Sequence, residues 1–245
     1  MISYDITLPT PQENILLDDV FLELAERSSA GSPDPEVLRF WESPVYFVVL
    51  GKTSSLKEDV KIAEVRKDMV PVLRRSSGGG TVLQGKGCLN FTLILSKEST
   101  PALADLRKSY RIILEKVAGA FQDLGVAASF HPISDLAVGP EERKFSGNAQ
   151  RRARRFILHH GSILYDFDIS KIEKYLSVPL SMPEYRRQRS HKDFVTNVDV
   201  DVTRIKAAMA TRFAAKNPQS CLRKGHEDLL ADFLAKRPVE VLLHP

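Results

Sequence analysis

The chain has 245 residues, 43% hydrophobic and 27% charged, with a formal net charge of +4 and a pI near 9.0. This composition can build a sizeable core and excludes a disordered chain. No apolar run approaches the roughly 18 residues of a membrane span, and the N-terminus lacks a signal-peptide pattern. Cys88 and Cys221 lie far apart in no metal-ligand spacing, which disfavours a disulfide framework or a zinc site. We therefore expect a cytoplasmic protein that binds no structural metal and has no membrane partner.

The first half of the chain mixes predicted strands and helices. Thr10-Pro11-Gln12-Glu13 places a capping threonine, a proline and an acidic residue at the start of a helix that should end near Arg27. Ser43-Pro44 is expected to break a hairpin between two apolar strands. The predicted strands cover 2–8, 37–41, 45–50, 71–74, 81–84 and 89–95, and two further helices cover 57–69 and 102–124.

The second half returns to strands, which then give way to helices. Strands are predicted over 126–130, over 133–138 and from Arg143 onward, and amphipathic helices over 203–215 and 226–236. The elements come in clusters, not in βαβ alternation, and neither Gly-x-Gly-x-x-Gly nor Gly-Lys-Ser/Thr occurs in a phosphate-loop context. This organisation predicts an α+β fold with a mixed, largely antiparallel sheet packed by helices.

Residues 73–84, which we call the glycine segment, carry the strongest chemical signal. Arg74-Arg75-Ser76-Ser77 leads from a short β-like run into Gly78-Gly79-Gly80, and a second β-like run follows. Successive glycine amides can form an anion-binding concavity, and arginine binds phosphate or carboxylate through two parallel hydrogen bonds. The segment therefore suggests an anion site, although a hairpin turn with solvated charges would have the same composition.

A second informative segment begins at Lys144. Phe145-Ser146-Gly147-Asn148-Ala149 follows it directly and is predicted to bend, which would hold the ammonium group in a pocket. A lysine in that position can neutralise a phosphate or polarise a carbonyl, whereas most lysines are simply solvated. The four arginines at 151, 152, 154 and 155 are expected to form an exposed basic edge that could meet an acidic protein or nucleic acid.

Together these segments resemble the lipoate-protein ligase A family, within the superfamily of biotin/lipoate ligases and octanoyltransferases. The resemblance rests on the order and spacing of Arg74-Arg75-Ser76-Ser77-Gly78-Gly79-Gly80-Thr81-Val82, Lys144-Phe145-Ser146-Gly147-Asn148-Ala149-Gln150 and His159-His160-Gly161-Ser162. Phe194-Val195-Thr196-Asn197-Val198 resembles another recurring family segment. The similarity thus runs from about Ile15 to Val198, which is most of the chain.

The resemblance implies a fold related to biotin synthetase and class II aminoacyl-tRNA synthetase cores, and a two-step reaction. ATP and lipoate would form lipoyl-AMP, and a lysine of a small acceptor domain would then take the lipoyl group. Lys144 would act at the acyl–phosphate junction while arginines and glycine amides neutralise negative charge. Val82 and Leu83, with Phe145 or Leu89, would line the aliphatic arm. The implied binding residues are Arg74, Arg75, Ser77, Gly78, Gly79, Gly80, Thr81, Val82, Leu83, Asn90, Gly147, Asn148, His160 and Gly161.

The same resemblance implies co-substrates and partners. ATP and Mg²⁺ are expected as co-substrates and lipoate as substrate, with no tightly bound prosthetic group. The expected acceptor is a small acidic lipoyl-domain protein that docks on a basic surface. Residues 1–245 are expected to be a single catalytic domain in which 201–245 form a helical C-terminal segment. The accessory C-terminal domain of long ligases is expected to be absent, to be supplied by a separate subunit or to be dispensable.

Two departures from the family pattern concern the site. Gln84 stands where many ligases carry histidine, and Ser134-Asp135 replaces the usual Asn-Asp pair. The main alternative function is an octanoyl or lipoyl transferase that works through a cysteine thioester. The positions where such transferases carry cysteine hold none in this chain, and Cys88 is expected to be a buried strand residue. Adenylation is therefore favoured over a thioester.

Two further alternatives come from other classes. A non-catalytic nucleic-acid-binding module would use the arginines of 151–155 and Arg186-Arg187-Gln188-Arg189, but few aromatic residues interleave these runs, so nucleic acid is not the expected partner. Biotin ligation is disfavoured because the Gly-Arg-Gly-Arg motif is absent. Of His159 and His160, which alternate across a strand, His160 matches the family position and is expected to face the pocket.

Overall fold

The computed structural model describes residues 1–29, 36–179 and 182–241. Its strands are β1 (Ile2–Asp5), β2 (Val37–Trp41), β3 (Phe47–Leu50), β4 (Val72–Arg74), β5 (Val82–Gln84), β6 (Cys88–Ser96), β7 (Ser129–His131), β8 (Asp135–Val138), β9 (Arg143–Arg152), β10 (Phe156–Leu164) and β11 (Lys216–Gln219). Its helices are α1 (Pro11–Arg27), α2 (Leu56–Asp59), α3 (Ile62–Lys67), α4 (Leu106–Asp123), α5 (Ser170–Tyr175), α6 (His191–Phe194), α7 (Val202–Arg212) and α8 (Lys224–Lys236). None of the helices in these ranges is both long enough and apolar enough to cross a membrane.

The strands form two sheets. The larger has eight strands in the order β11-β1-β2-β6-β10-β9-β8-β7, antiparallel from β2 to β7 and parallel where β1 pairs with β2 and β11. The smaller has the order β4-β3-β5, with β3 parallel to β4 and antiparallel to β5. This mixed, mostly antiparallel α+β architecture confirms the predicted fold class.

Helices cover both faces of the larger sheet. One face packs against α4 and α7 through a core that includes Phe91, Leu114 and Phe121. The other packs against α1 and α8 through a core that includes Leu17, Leu158 and Phe233. Two covered faces explain why β6 is buried along its whole length.

The start of α1 follows the predicted capping box. The Thr10 hydroxyl accepts from the Glu13 amide at 3.2 Å, and the Glu13 carboxylate accepts from the Thr10 amide at 2.8 Å. Local chemistry thus fixes where this helix begins, which matters because α1 carries Asp18, which lines the cavity described below.

Several predictions about the connections were wrong. Ser43-Pro44 does not close a hairpin, because β2 pairs within the larger sheet while β3 pairs within the smaller one. The residues from Phe145 to Ala149 do not bend; they lie inside the ten-residue strand β9, whose pairing with β8 shifts register between Leu136 and Ala137. The predicted helices over 203–215 and 226–236 are present as α7 and α8, but β11 between them was not predicted.

Candidate functional site

A cavity of about 890 Å³ lies between the α1 side of the larger sheet, the smaller sheet and the segment that follows β10. Its wall includes the glycine segment from Gly79 to Gln84, Lys144 to Ala149 on β9, and His160 to Ser162 on β10. The two sequence motifs, 64 residues apart between Gly80 and Lys144, therefore meet at one site.

Cross-strand pairing builds the cavity floor. Trp41 on β2 pairs with Asn90 on β6, Asn90 with Ser162 on β10, and Ser162 with Gly147 on β9. Gly147 in turn pairs with Asp135 on β8. All five residues line the cavity, so one row across five strands forms part of its surface.

A second row carries a chain of hydrogen bonds from α1 to the glycine segment. Thr92 pairs with Arg39 on one side and His160 on the other. His160 Nε2 lies 2.6 Å from the Ser77 hydroxyl, and His160 Nδ1 lies 3.2 Å from the Asp18 carboxylate. Asp18 also accepts from the fully buried Arg39 guanidinium at 2.9 Å. This chain ties the glycine segment to the sheet and orients the His160 ring.

The glycine segment connects β4 to β5 across β3, and the carbonyl groups of Gly78 and Gly80 point towards the Arg75 side chain. Arg75 Nη2 donates to the carbonyls of Gly78 at 2.7 Å and Gly80 at 2.8 Å, while Arg75 Nε donates to the Ser77 hydroxyl at 3.0 Å. Gly79 adopts a φ of 81°, which favours glycine. In the part of the chain that the structure describes, the amides of Gly78, Gly79 and Gly80 donate to no protein acceptor. The loop therefore presents free N–H groups, as an anion site requires.

Neither arginine of the glycine segment points its guanidinium freely at a ligand. Arg75 lies in the cavity wall, but its guanidinium group donates hydrogen bonds to the glycine segment. Burial lowers the pKa of Arg75 to about 10. Arg74 lies outside the cavity wall, where its Nη1 donates to the carbonyls of Gly51 and Ser54. Ser77 and Gly78 are also not among the residues that line the cavity. In this structure Arg74 and Arg75 hold the conformation of the loop through hydrogen bonds to its surroundings. The resemblance had implied instead that both guanidinium groups bind substrate anions directly.

Lys144 on β9 also lines the cavity, and its ammonium group contacts an acidic partner. Its Nζ is 2.8 Å from Asp135 Oδ1, and the other oxygen of Asp135 accepts from the Tyr185 hydroxyl at 2.7 Å. Burial and the adjacent carboxylate raise the pKa of Tyr185, so the phenol stays protonated and donates. A Cβ atom on Gly147 would lie 2.9 Å from Lys144 Nζ. Glycine at 147 therefore leaves the space that the lysine side chain occupies.

His159 and Asn148 belong to the opposite face of the sheet from His160. His159 is fully buried, stacks on Phe91 and bonds to the side chains of Gln150 and Asn148. Burial, and to a smaller extent the neighbouring His160, lowers the pKa of His159 to about 3, so it is a neutral core residue. Of the two histidines, which alternate across β10, His160 lines the cavity. The amide of Asn148 is used within the protein.

One end of the cavity is apolar. Ile15, Trp41, Val49 and Val82 line it and belong to one cluster of packed side chains. Leu83 also lines the cavity, and the Thr81 hydroxyl donates to Asp59 at 2.5 Å beside it. Such a surface suits a hydrocarbon chain.

Of the two residues predicted as alternatives for this wall, Phe145 lines the cavity and Leu89 does not. Both side chains are fully buried in the core on the α4 side, where Phe145 packs against Phe121 at 4.8 Å. Strand alternation places Leu89 on the face of β6 that packs against α4.

Unsatisfied polar atoms are concentrated at this cavity. Among the described residues, buried atoms without a hydrogen-bond partner include Trp41 Nε1, Gln84 Oε1, Thr92 Oγ1 and Arg186 Nη2, and all four residues line the cavity. A buried polar group without a partner is costly, and an unmade bond of this kind commonly marks a place for a ligand or water. Arg186 was assigned from sequence only to a basic run, since burial cannot be read from composition.

Cysteine is absent from the described cavity wall. Cys88 is fully buried in the core between β6 and the smaller sheet, and burial raises its pKa to about 12. Cys221 is exposed near the start of α8 and does not line the cavity. A thiolate nucleophile at the site would need a low thiol pKa and access to the substrate, and Cys88 has neither.

The predicted basic edge is partly engaged by contacts within the chain. Arg151 pairs with Asp19 at 2.8 Å, and Arg155 pairs with Glu98 at 3.2 Å. Arg152 donates to the carbonyls of Leu103 and Ala104. Three of the four arginines therefore make contacts within the chain, and two of these contacts are ion pairs.

Comparison with known proteins indicates the same family that the sequence motifs resemble. Residues 10–214 match the family model of the lipoyl protein ligase A/B catalytic domain. The chain is 32% identical over 180 residues to the "Probable lipoate-protein ligase A" of Mycoplasma pneumoniae, covering 73% of this chain and 50% of that protein. It is 28% identical over 206 residues to the octanoyltransferase LipM of Halalkalibacterium halodurans, covering 75% of this chain and 72% of that protein. The chain therefore spans about half the length of the ligase relative.

Two solved structures share the fold. A bipartite lipoate protein ligase of Thermoplasma acidophilum, studied with its E2 lipoyl domain, superposes with a TM-score of 0.80 at 22% identity and covers 96% of this chain and 92% of that chain. A lipoate-protein ligase A bound with ATP superposes with a TM-score of 0.79 at 21% identity, covering 96% and 94%. At these identities the likeness concerns the fold.

The family model, which covers residues 10–214, places the chain in the biotin/lipoate ligase superfamily. Within that superfamily, the chain belongs to the family of the lipoyl protein ligase A/B catalytic domain, whose model covers most of its length.

Proposed function

We propose that the chain is an ATP-dependent lipoate-protein ligase, or the catalytic subunit of one. The observation that carries this proposal is a single cavity in which free glycine amides and Lys144 face an apolar wall, without a cysteine among the described lining residues. An acyl-adenylate has the matching parts, namely a phosphate, an acyl carbonyl and a hydrocarbon arm.

The reaction follows from charge and geometry. The lipoate carboxylate attacks the α-phosphorus of ATP, forming an acyl–phosphate bond as pyrophosphate leaves. Because both reactants are anions, the free amides of Gly79 and Gly80 and the ammonium group of Lys144, which all line the cavity, would lower the repulsion between them. The amine of an acceptor lysine then attacks the acyl carbonyl, an amide forms, and AMP departs. Lys144 would stabilise the oxygen that becomes negative in both steps.

Mg²⁺ is proposed to arrive with ATP. The described residues contain no group of three or more His, Cys, Asp or Glu side chains arranged to hold a metal. A nucleotide-bound Mg²⁺ needs only one or two protein carboxylates besides phosphates and water. Glu58 and Asp59, which line the cavity near Thr81, have the right chemistry for that task.

The proposed acceptor is a small acidic lipoyl domain. The net charge of +4 suits an acidic partner, and a relative of the same fold was studied with its E2 lipoyl domain. That relative is bipartite, so an accessory subunit that assists this chain is part of the proposal.

The direct test is modification of an acceptor. Purified chain is incubated with lipoate, Mg-ATP and an apo lipoyl domain, and the acceptor mass is followed with and without ATP. We expect a lipoyl mass shift that requires ATP, and its loss in Lys144→Ala while the variant keeps its thermal midpoint. No modification in the presence of a folded chain, all substrates and a supplied accessory subunit would contradict the proposal.

The second candidate is an octanoyl or lipoyl transferase, which the match to an octanoyltransferase favours. Such an enzyme would pass the acyl group from a carrier thioester to a cysteine and then to the acceptor lysine. The Cys88 thiol is buried, with a pKa raised to about 12, and this favours the ligase. With octanoyl-carrier protein and no ATP, acceptor modification that disappears in Cys88→Ser would establish the transferase instead.

A further inference from the structure

Arg186 combines burial, a position in the cavity wall and an unfilled hydrogen-bond donor. Its exposed fraction is 4%, and its Nη2 atom has no partner among the described residues. Its Nε donates to the Arg189 carbonyl at 2.9 Å, and its guanidinium lies 4.9 Å from the centroid of the Phe194 ring. These two contacts hold the guanidinium in place while leaving Nη2 unused.

The neighbouring arginines do not share this property. Arg187 is exposed and pairs with Glu142 at 3.2 Å. Arg189 donates to the carbonyls of Glu141 at 2.6 Å and Tyr185 at 2.8 Å. The segment thus satisfies its other guanidinium groups and leaves the buried one unsatisfied. Burying a cation without a full set of partners costs free energy, which a bound anion could recover.

The carboxylate that acts on Arg186, that of Asp135, is already used by other partners. Asp135 acts electrostatically on Arg186, but its two oxygens already bond to Lys144 and Tyr185. Burial lowers the pKa of Arg186, with Asp135 opposing that effect. Arg75, by contrast, has given its donors to the glycine segment and Val49.

We propose that Arg186 is a further anion-binding residue of this site, and that its ligand is a phosphate group of the nucleotide on the Lys144 side of the cavity. The inference deepens the proposed function and rests on it. A guanidinium suits phosphate because its planar donors match two phosphate oxygens, and a fixed guanidinium loses little side-chain freedom on binding. Arg186 and Lys144 would then hold the phosphate from one wall while the glycine amides hold it from the other.

The test compares Arg186→Gln with Arg187→Gln, which removes an adjacent but exposed charge with a partner outside the cavity. Binding of ATP, inorganic pyrophosphate, adenosine and lipoate is measured by calorimetry on each purified chain, together with its thermal midpoint. Arg186→Lys is included because it keeps the charge but not the planar pair of donors.

We expect Arg186→Gln to weaken ATP and pyrophosphate binding by about 10- to 100-fold, from the worth of one hydrogen bond to a charged group. Adenosine and lipoate affinities should change less than about twofold, Arg187→Gln should change none of the four, and Arg186→Lys should recover part of the loss. Loss of pyrophosphate binding in a chain that modifies no acceptor would support Arg186 as an anion site while refuting the ligase.

Three results would overturn the inference. Unchanged ATP and pyrophosphate binding in Arg186→Gln would show that the guanidinium does not contact phosphate. Equal weakening of all four ligands with a lower thermal midpoint would show a purely structural role. Weakened binding of lipoate alone would assign Arg186 to a carboxylate instead.

Discussion

The substitution Gly147→Ala tests how far the position of Lys144 matters without changing the lysine itself. A Cβ at residue 147 would lie 2.9 Å from both Cε and Nζ of Lys144. Ordinary contact between heavy atoms needs about 3.5–4.0 Å, so the end of the lysine must move by about 0.6–1.1 Å. That movement disturbs the 2.8 Å contact with Asp135 that orients the ammonium group. A misplacement of about 1 Å can cost about 100-fold in rate, so we expect a loss of about 10- to 100-fold, equivalent to about 1.4–2.7 kcal/mol.

The assay measures the rate of lipoyl-AMP formation in a single turnover. The thermal midpoint of unfolding is measured for each variant as well. Because only the flexible end of a side chain must move, Gly147→Ala should fold normally. Gly225→Ala is the matched control, since a Cβ there meets nothing within 4 Å. In a Lys144→Ala background, Gly147→Ala should have little further effect, because both changes act through the same ammonium group. A full adenylation rate in Gly147→Ala, or an equal additional loss without Lys144, would refute the reasoning.

Three further predictions concern the scaffold around the site. Gly161→Ala should prevent normal folding, because its Cβ would meet Asn148 Oδ1 at 2.0 Å, and a urea midpoint equal to that of the unsubstituted chain would contradict this. Asp18→Asn leaves a buried guanidinium without its carboxylate and should cost about 3–5 kcal/mol in urea unfolding, whereas Asp5→Asn, at an exposed ion pair, should cost little. Burial lowers the pKa of His159 to about 3 in the folded chain from its ordinary value of 6.5, so between about pH 3 and pH 6.5 only the unfolded chain binds this proton. Stability should therefore fall by about 1.4 kcal/mol per pH unit from this group as the pH drops, and the slope should be smaller in His159→Gln; equal slopes would disprove the assignment.

The sequence was most informative where chemistry is local. The capping box of Thr10 and Glu13 predicted the start of α1, because both partners lie within one helical turn. The spacing of the glycine segment and Lys144 predicted that both would belong to one site, and both line the cavity. These features depend on neighbouring residues or on a recurring pattern, so a linear sequence carries them.

The bend after Lys144 was predicted wrongly for a related reason. Small residues such as Ser146 and Gly147 favour a turn in isolation, but here they pair with β8 and β10 on both sides. Hydrogen bonds from two neighbouring strands outweigh a weak local preference. The glycine serves close packing against the lysine side chain instead of backbone reversal.

By itself, the sequence determined the α+β class, and it predicted an anion-binding glycine segment and a functional Lys144. Only the tertiary structure decided which polar groups are free. It placed Arg75 behind the glycine segment with its donors used, and left Arg186 in the cavity wall with Nη2 unpaired. It also buried His159 and joined His160 to Asp18 across 142 positions of sequence. Burial and hydrogen-bond satisfaction arise from contacts between distant segments, so identical residue types acquire different roles only when the chain is folded.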